Sequence, residues 1–202
     1  MTKNECSFIL DAVRTKDEEK KAALFEATVK TVNEMGFASA SVSKITKEAG
    51  VSPATLYIYH KNKEELLVST YITIEKNMSR ALLEKFNADM PLRDILENVW
   101  VAMSDYFIKY QPYTRFAEQF ANSPYKTLVN KEMVMHYYAP IIDVLQQGID
   151  QKIIKNVDFD IIIAFICYPL LALSNPGLCS DFEPTAENIK SAFALAWDAI
   201  KL

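Results

Sequence analysis

Glycine is scarce in this chain, with four in 202 residues, at positions 36, 50, 148 and 177. No stretch alternates apolar and polar residues long enough to make a sheet strand, so an all-α fold is expected. Cysteine is equally sparse. Cys6, Cys167 and Cys179 are odd in number and scattered, which favours reduced thiols and a cytoplasmic location over a disulfide framework. There is no Cys-x-x-Cys pair, no His-x-x-x-His pair and no glycine-rich phosphate loop, and the two histidines lie in different parts of the chain. Carboxylate pairs such as Asp158/Asp160 and Glu64/Glu65 suit helix starts better than general acid/base work. We therefore expect no catalytic residues, no metal site and no cofactor.

Long hydrophobic runs are missing too. The opening "MTKNECSFILDAVRTK" is too short and too interrupted for a signal peptide, and "FDIIIAFICYPLLAL" is too short for a membrane span and contains a proline. No membrane partner is expected. An excess of positive charge is also lacking, since the net charge is −4. The balance is local: across residues 36–63, Lys44, Lys47, Lys61 and Lys63 face one acid, Glu48, with His60 beside them. A small basic face on an acidic protein favours DNA locally while the rest of the surface keeps the molecule soluble.

What the sequence does have is apolar content, 50% of residues, arranged at helical spacing. A first helix is expected over 17–35, with Leu24, Phe25, Thr28, Val32 and Met35 as its buried stripe and Gly36 as its stop. Two short helices follow, "SVSKITKEA" and "SPATLYIYH". A long one starts near Lys63, where Leu67, Tyr71, Ile74, Met78, Leu82 and Phe86 repeat at three and four. Further helices are expected over 92–110, 113–121, 125–154 with a division near Tyr138, 159–174 and 185–201, about nine in all. The domains expected are an N-terminal extension over 1–16, a three-helix domain over 17–62, and a larger helical domain over 63–202.

Three helices with the second and third joined at a glycine form a helix-turn-helix plan. Gly50 supplies the left-handed turn, Val51 plugs the core, Ser52 caps the third helix and Pro53 is tolerated in its first turn. With Leu56 facing inward, a rotation of about 100° per residue turns Ala54 and Ile58 outward and Thr55 and Tyr57 onto the shoulders. His60 falls inward, which suits a structural histidine better than a pH switch or a phosphate donor. An outward face of Pro, Ala, Thr, Ile and Tyr suits thymine methyls, base edges and phosphates, the alternative being a small helix packed in a core.

The stretch "SVSKITKEAGVSPATLYIYHKNKEELL", residues 41–67, resembles the DNA-binding signature of the tetracycline-repressor (TetR) family of bacterial transcriptional regulators. The likeness rests on the "AGVS" turn, "LY" after the proline and the "KNKEELL" entry to the next helix, and it covers roughly residues 17–70. It implies a homodimer that places each third helix in the major groove of a palindromic operator in double-stranded DNA, and that is released when a small molecule binds the C-terminal domain. Carried over, Ser41 and Ser43 meet backbone phosphates, Ser52, Pro53, Ala54 and Thr55 face the groove, and Tyr57, Tyr59 and Lys63 fall on later contact positions. His60 departs from an apolar position of the family, and the third helix has no Arg, Gln or Asn for bidentate base readout. Specificity then rests on Thr55, methyl contacts and DNA shape.

The rest of the chain is less explicit. Trp100, Met103, Phe107, Phe120, His136 and Tyr137 are the candidate lining of a pocket for an unidentified apolar or aromatic effector, although the same residue types fill helical cores. Ile162, Phe165, Ile166, Ile189, Phe193 and Trp197 on the last two helices are the candidate dimer interface, the alternative being burial within one protomer. Three functions remain: a ligand-released repressor, a DNA-binding dimer without an effector, and a helical small-molecule carrier or enzyme.

Overall fold

The computed structural model describes the backbone of residues 3–202 and side chains from residue 16 onward. The extension expected over 1–16 thus lies almost wholly outside the described side chains, as does Cys6. All regular structure among the described residues is helical, apart from one isolated bridge between Ile154 and Lys201.

Helix α1 spans Lys3–Ser39, broken at Gly36, whose φ of 75° and ψ of 165° no ordinary L-residue adopts without strain. α2 (Val42–Glu48) and α3 (Pro53–Tyr59) follow, then the long α4 (Lys63–Leu83), α5 (Leu92–Lys109) and α6 (Gln111–Ala121). A short 3-10 turn (Pro124–Leu128) leads to α7 (Lys131–Tyr137), α8 (Ala139–Asp150), α9 (Phe159–Ile166), α10 (Tyr168–Leu173) and α11 (Ala186–Ile200). The division expected near Tyr138 is present because Pro140, lacking an N–H, is tolerated only in the first turn of a new helix. Pro169 divides α9 from α10 in the same way.

Two compact units result, one formed by Met1–Ile74 with Pro112–Val129, the other by Glu75–Gln111 with Asn130–Leu202. In the first, Leu24, Val32, Ile45, Leu56, Leu67 and Ile74 bury against Phe116 and Phe120. α6 is bound into this unit by rings: Phe37 meets Phe116 edge-on at 5.4 Å, and Tyr71 stacks on Phe120 at 4.4 Å. Asn33 Nδ2 also donates to the Pro112 carbonyl at 2.8 Å. Met35, expected in the buried stripe, is instead exposed. Gly36 breaks the helix directly after it, so the core position passes to Phe37.

In the second unit Trp100, Ile162, Leu170, Phe193 and Ile200 are buried in one cluster. The end of α11 is held there by Lys155, whose Nζ donates to the Ala199 carbonyl at 2.7 Å and whose N–H donates to Ile200 at 2.9 Å. An ammonium at a helix C-terminus both fills orphan carbonyls and meets the negative end of the dipole.

Candidate nucleic-acid interface

The turn between α2 and α3 is built by backbone hydrogen bonds. Val51 N–H donates to Thr46 O at 3.0 Å and Gly50 N–H to Lys47 O at 3.2 Å, the paired 6→1 and 5→2 bonds of a Schellman termination. Its left-handed position is Gly50, at φ 67°. Ser52 then starts α3 in an extended conformation. Its Oγ accepts from Thr55 N–H at 3.2 Å and lies 3.0 Å from Thr55 Oγ1, while Pro53 occupies the first turn. A cap of this kind contributes about 1 kcal/mol.

Leu56 is the sole buried residue of α3. Opposite it, Ser52, Pro53 and Ala54 are exposed, together with Tyr57 at 55% and Ile58 at 73%. Thr55 is half-buried at the shoulder. Ser41, which caps α2 by accepting from Lys44 N–H at 3.3 Å, and Ser43 are exposed at the start of α2. Seven of the nine DNA-contact candidates, Ser41, Ser43, Ser52, Pro53, Ala54, Thr55 and Tyr57, therefore lie on the solvent side of these two helices or at their shoulder.

Tyr59 and Lys63 are placed differently. Tyr59 is half-buried, its hydroxyl donates to Asp17 Oδ1 at 2.7 Å, and Lys21 Nζ sits 5.2 Å from its ring centre. The Asp17 bond holds the phenol above its ordinary pKa. Lys63 Nζ donates to the Phe37 carbonyl at 2.6 Å. Both side chains tie the reading helix and its successor to α1. Lys30 adds an exposed ion pair to Glu48 at 2.6 Å, which takes the one acid of the 36–63 segment out of competition with its lysines.

His60 ends α3 in an extended conformation, its N–H donating to Leu56 O at 2.9 Å. The ring is half-buried, with Nδ1 3.4 Å from Ser69 Oγ. Burial pushes its pKa down, Lys21 adds to that, and Glu65 opposes it. Asn62 restarts the helix by accepting from Glu65 N–H at 2.8 Å, and the Glu65 carboxylate accepts from the N–H of Lys61, the residue before the cap.

The six residues expected to line a pocket are not brought together. Trp100, Met103 and Phe107 are buried in the core of the second unit. Phe120 belongs to the first, where Tyr71 covers its face. His136 is exposed on α7 and Tyr137 is half-buried beside it. Sequence reasoning missed the polar groups of the second core. Glu75 is 8% exposed and accepts from the Tyr138 hydroxyl at 2.7 Å. Burial, with Glu75 as the second cause, pushes the Tyr106 phenol up to about 12. The available signal was Glu75 and Ser79, spaced by four along the stripe of α4.

The expected dimer residues also need correction. Ile162, Ile166, Ile189, Phe193 and Trp197 fill the protomer's own core, because α11 packs on both α9 and α5, and only Phe165 of the six is exposed. The apolar face left open on α9 and α10 is Ile161, Phe165 and Tyr168, with Leu195 outward on α11. No described helix is long and apolar enough to cross a membrane, and no described group of three or more His, Cys, Asp or Glu side chains could hold a metal.

A capped two-helix turn presenting an uncharged outer face beside lysines defines a helix-turn-helix DNA-binding domain. Residues 24–70 match the family described as bacterial regulatory proteins, tetR family, and residues 91–201 match the tetracyclin repressor-like C-terminal domain. The chain belongs to the TetR family of transcriptional regulators. It is similar to the crystal structure of a TetR family transcription regulator from Marinobacter aquaeolei VT8, at 34% identity and a TM-score of 0.85, covering 93% of this chain and 98% of that one. An HTH-type transcriptional regulator of Haemophilus influenzae is 26% identical over 185 residues, 88% of this chain and 94% of that protein. The fatty acid metabolism regulator protein of Bacillus subtilis is 42% identical over 52 residues, which span 26% of this chain and 27% of that protein.

Proposed function

We propose that the protein is a homodimeric repressor that reads a palindromic operator with α3 of each subunit and leaves it when a small apolar or aromatic ligand binds the second unit. The observation that carries the DNA reading is the outer face of α3, where Ile58 at 73% and Tyr57 at 55% exposure stand beside Ala54 and Pro53 with no core to fill. Methyl and small apolar groups of this kind contact thymine methyls, and the Tyr57, Ser41 and Ser43 hydroxyls contact phosphates. Lys44, Lys47, Lys61 and Lys63 supply the positive field. Tyr59 and Lys63 set the pitch of α3 and α4 by their hold on α1.

Ile161, Phe165, Tyr168 and Leu195 support the dimer, since a second copy would cover a face that water otherwise meets, and a palindrome needs two reading helices. The likeness to the fatty acid metabolism regulator is confined to 52 residues, so it carries no information on the effector. Selection of bound sequences from a random DNA pool tests the reading. An inverted repeat is expected, with affinity falling steeply as salt rises; recovery of no enriched sequence would overturn it.

A further inference from the structure

Helix α5 carries Ser104 one turn beyond Trp100, and both are sealed from solvent, at 2% and 1% exposure. Among the described residues neither Trp100 Nε1 nor Ser104 Oγ has a hydrogen-bond partner. Buried polar side chains are rarely left so, and each exception calls for an explanation. Four other buried hydroxyls show the contrast. Thr28, Thr46, Thr70 and Ser79 each donate to a carbonyl three or four residues back along their own helix. Ser104, inside α5, makes no such bond.

The chemistry of the pair limits what would satisfy it. An indole N–H is a donor only, and a hydroxyl can donate alongside it, so the missing group is an acceptor. A cation offers none. An anion would enter a core that already holds Glu75, close enough to Tyr106, two residues from Ser104, to raise that phenol's pKa. An uncharged acceptor remains. Space can be made without breaking helices, because Met103, Met78 and Met90 belong to the same cluster and unbranched thioether side chains repack at low cost.

We infer that Trp100 Nε1 and Ser104 Oγ are the polar anchor of the effector site, and that they hold the carbonyl, or an equivalent neutral acceptor, of a small lipophile. This rests on the reading of the second unit as the effector-binding part. It gives the effector a class: an aliphatic or aromatic ketone, ester or amide, not a hydrocarbon and not a carboxylate.

The test uses full-length protein carrying Trp197→Phe, which leaves Trp100 as the lone tryptophan of a chain that has two. Three probes of like size are titrated: benzylacetone with its ketone, butylbenzene with no acceptor, and hydrocinnamate with a carboxylate. Trp100 emission and melting temperature are read without DNA. Benzylacetone is expected to shift the emission and raise the melting temperature at a concentration at least tenfold below the other two. Ser104→Ala is expected to remove that preference and, by deleting an unpartnered buried hydroxyl, to raise the melting temperature of the ligand-free protein. Equal response to all three probes, response to none, or a lower ligand-free melting temperature in Ser104→Ala would each overturn the anchor; the last result would mean that the hydroxyl is already satisfied, for instance by a trapped water. Operator binding is measured in parallel. Benzylacetone binding without DNA release leaves the anchor standing and sinks ligand-driven release, and absence of operator binding sinks the DNA reading alone.

Discussion

Tyr59 donates its hydroxyl to Asp17 across 42 residues of sequence, and this bond fixes the C-terminal end of the reading helix against α1. We propose that Tyr59, expected at a DNA-contact position, acts as a strut. Tyr59→Phe should lower the melting temperature, because it removes the bond to Asp17. It should also weaken operator binding without changing the slope of affinity against salt. Weaker operator binding at an unchanged melting temperature would show a direct contact and contradict the strut.

The outer face of α3 makes the opposite prediction. Ile58→Ser and Ala54→Leu alter exposed positions, so melting temperatures should stay within about 0.5 kcal/mol of the parent while affinity or sequence preference changes. Thr55→Ala should change preference and also cost some stability, because its hydroxyl lies 3.0 Å from Ser52 Oγ. Binding to a random pool, read against melting curves, separates the two effects.

His60 predicts a pH dependence with a definite sign. Burial lowers its folded pKa below the ordinary value of 6.5, so the unfolded chain takes up the proton more readily. Its contribution to stability is complete above that ordinary value and is lost as pH falls through the folded pKa. His60→Phe should flatten the fall in melting temperature on acidification from neutral to about pH 5. An unchanged profile would show that other groups carry it.

Dimerisation is tested by choosing between two faces. Phe165→Glu and Leu195→Glu alter exposed residues and should give folded monomers by sedimentation. Trp197 is 8% exposed and stacks on Phe193 at 6.5 Å, so Trp197→Glu buries a charge and should unfold the second unit instead. Monomeric wild type at micromolar concentration would remove the dimer.

Phe120, stacked on Tyr71, has a structural role with a magnitude. Phe120→Ala should cost about 3–5 kcal/mol, as large-to-small changes in a packed core do. Denaturant unfolding checks it, and a cost below 1 kcal/mol would mean that the stack contributes little.

The helix-turn-helix was legible in sequence because each of its parts is local. A glycine for the left-handed turn, a serine cap and a proline in the first turn act within a few residues of one another, and the outward set of α3 follows from helical rotation about Leu56. The break at Pro140 is local for the same reason, whereas the one at Pro169 divides a helix that the sequence reading ran unbroken over 159–174. What sequence did not show depends on which elements meet. That α6 returns to the first unit, that Tyr59 and Lys63 point at Asp17 and Phe37, and that Trp197 is covered while Leu195 is open are outcomes of packing between segments far apart in the chain. Apolar spacing marks a buried face and does not name the partner that buries it, so the stripe of α11 read equally well as core and as interface. By itself, the sequence determined the all-helical fold, the reading head and the family. Tertiary structure decided which apolar residues stay exposed on α9, α10 and α11, and where a tryptophan and a serine are left with hydrogen bonds still to make.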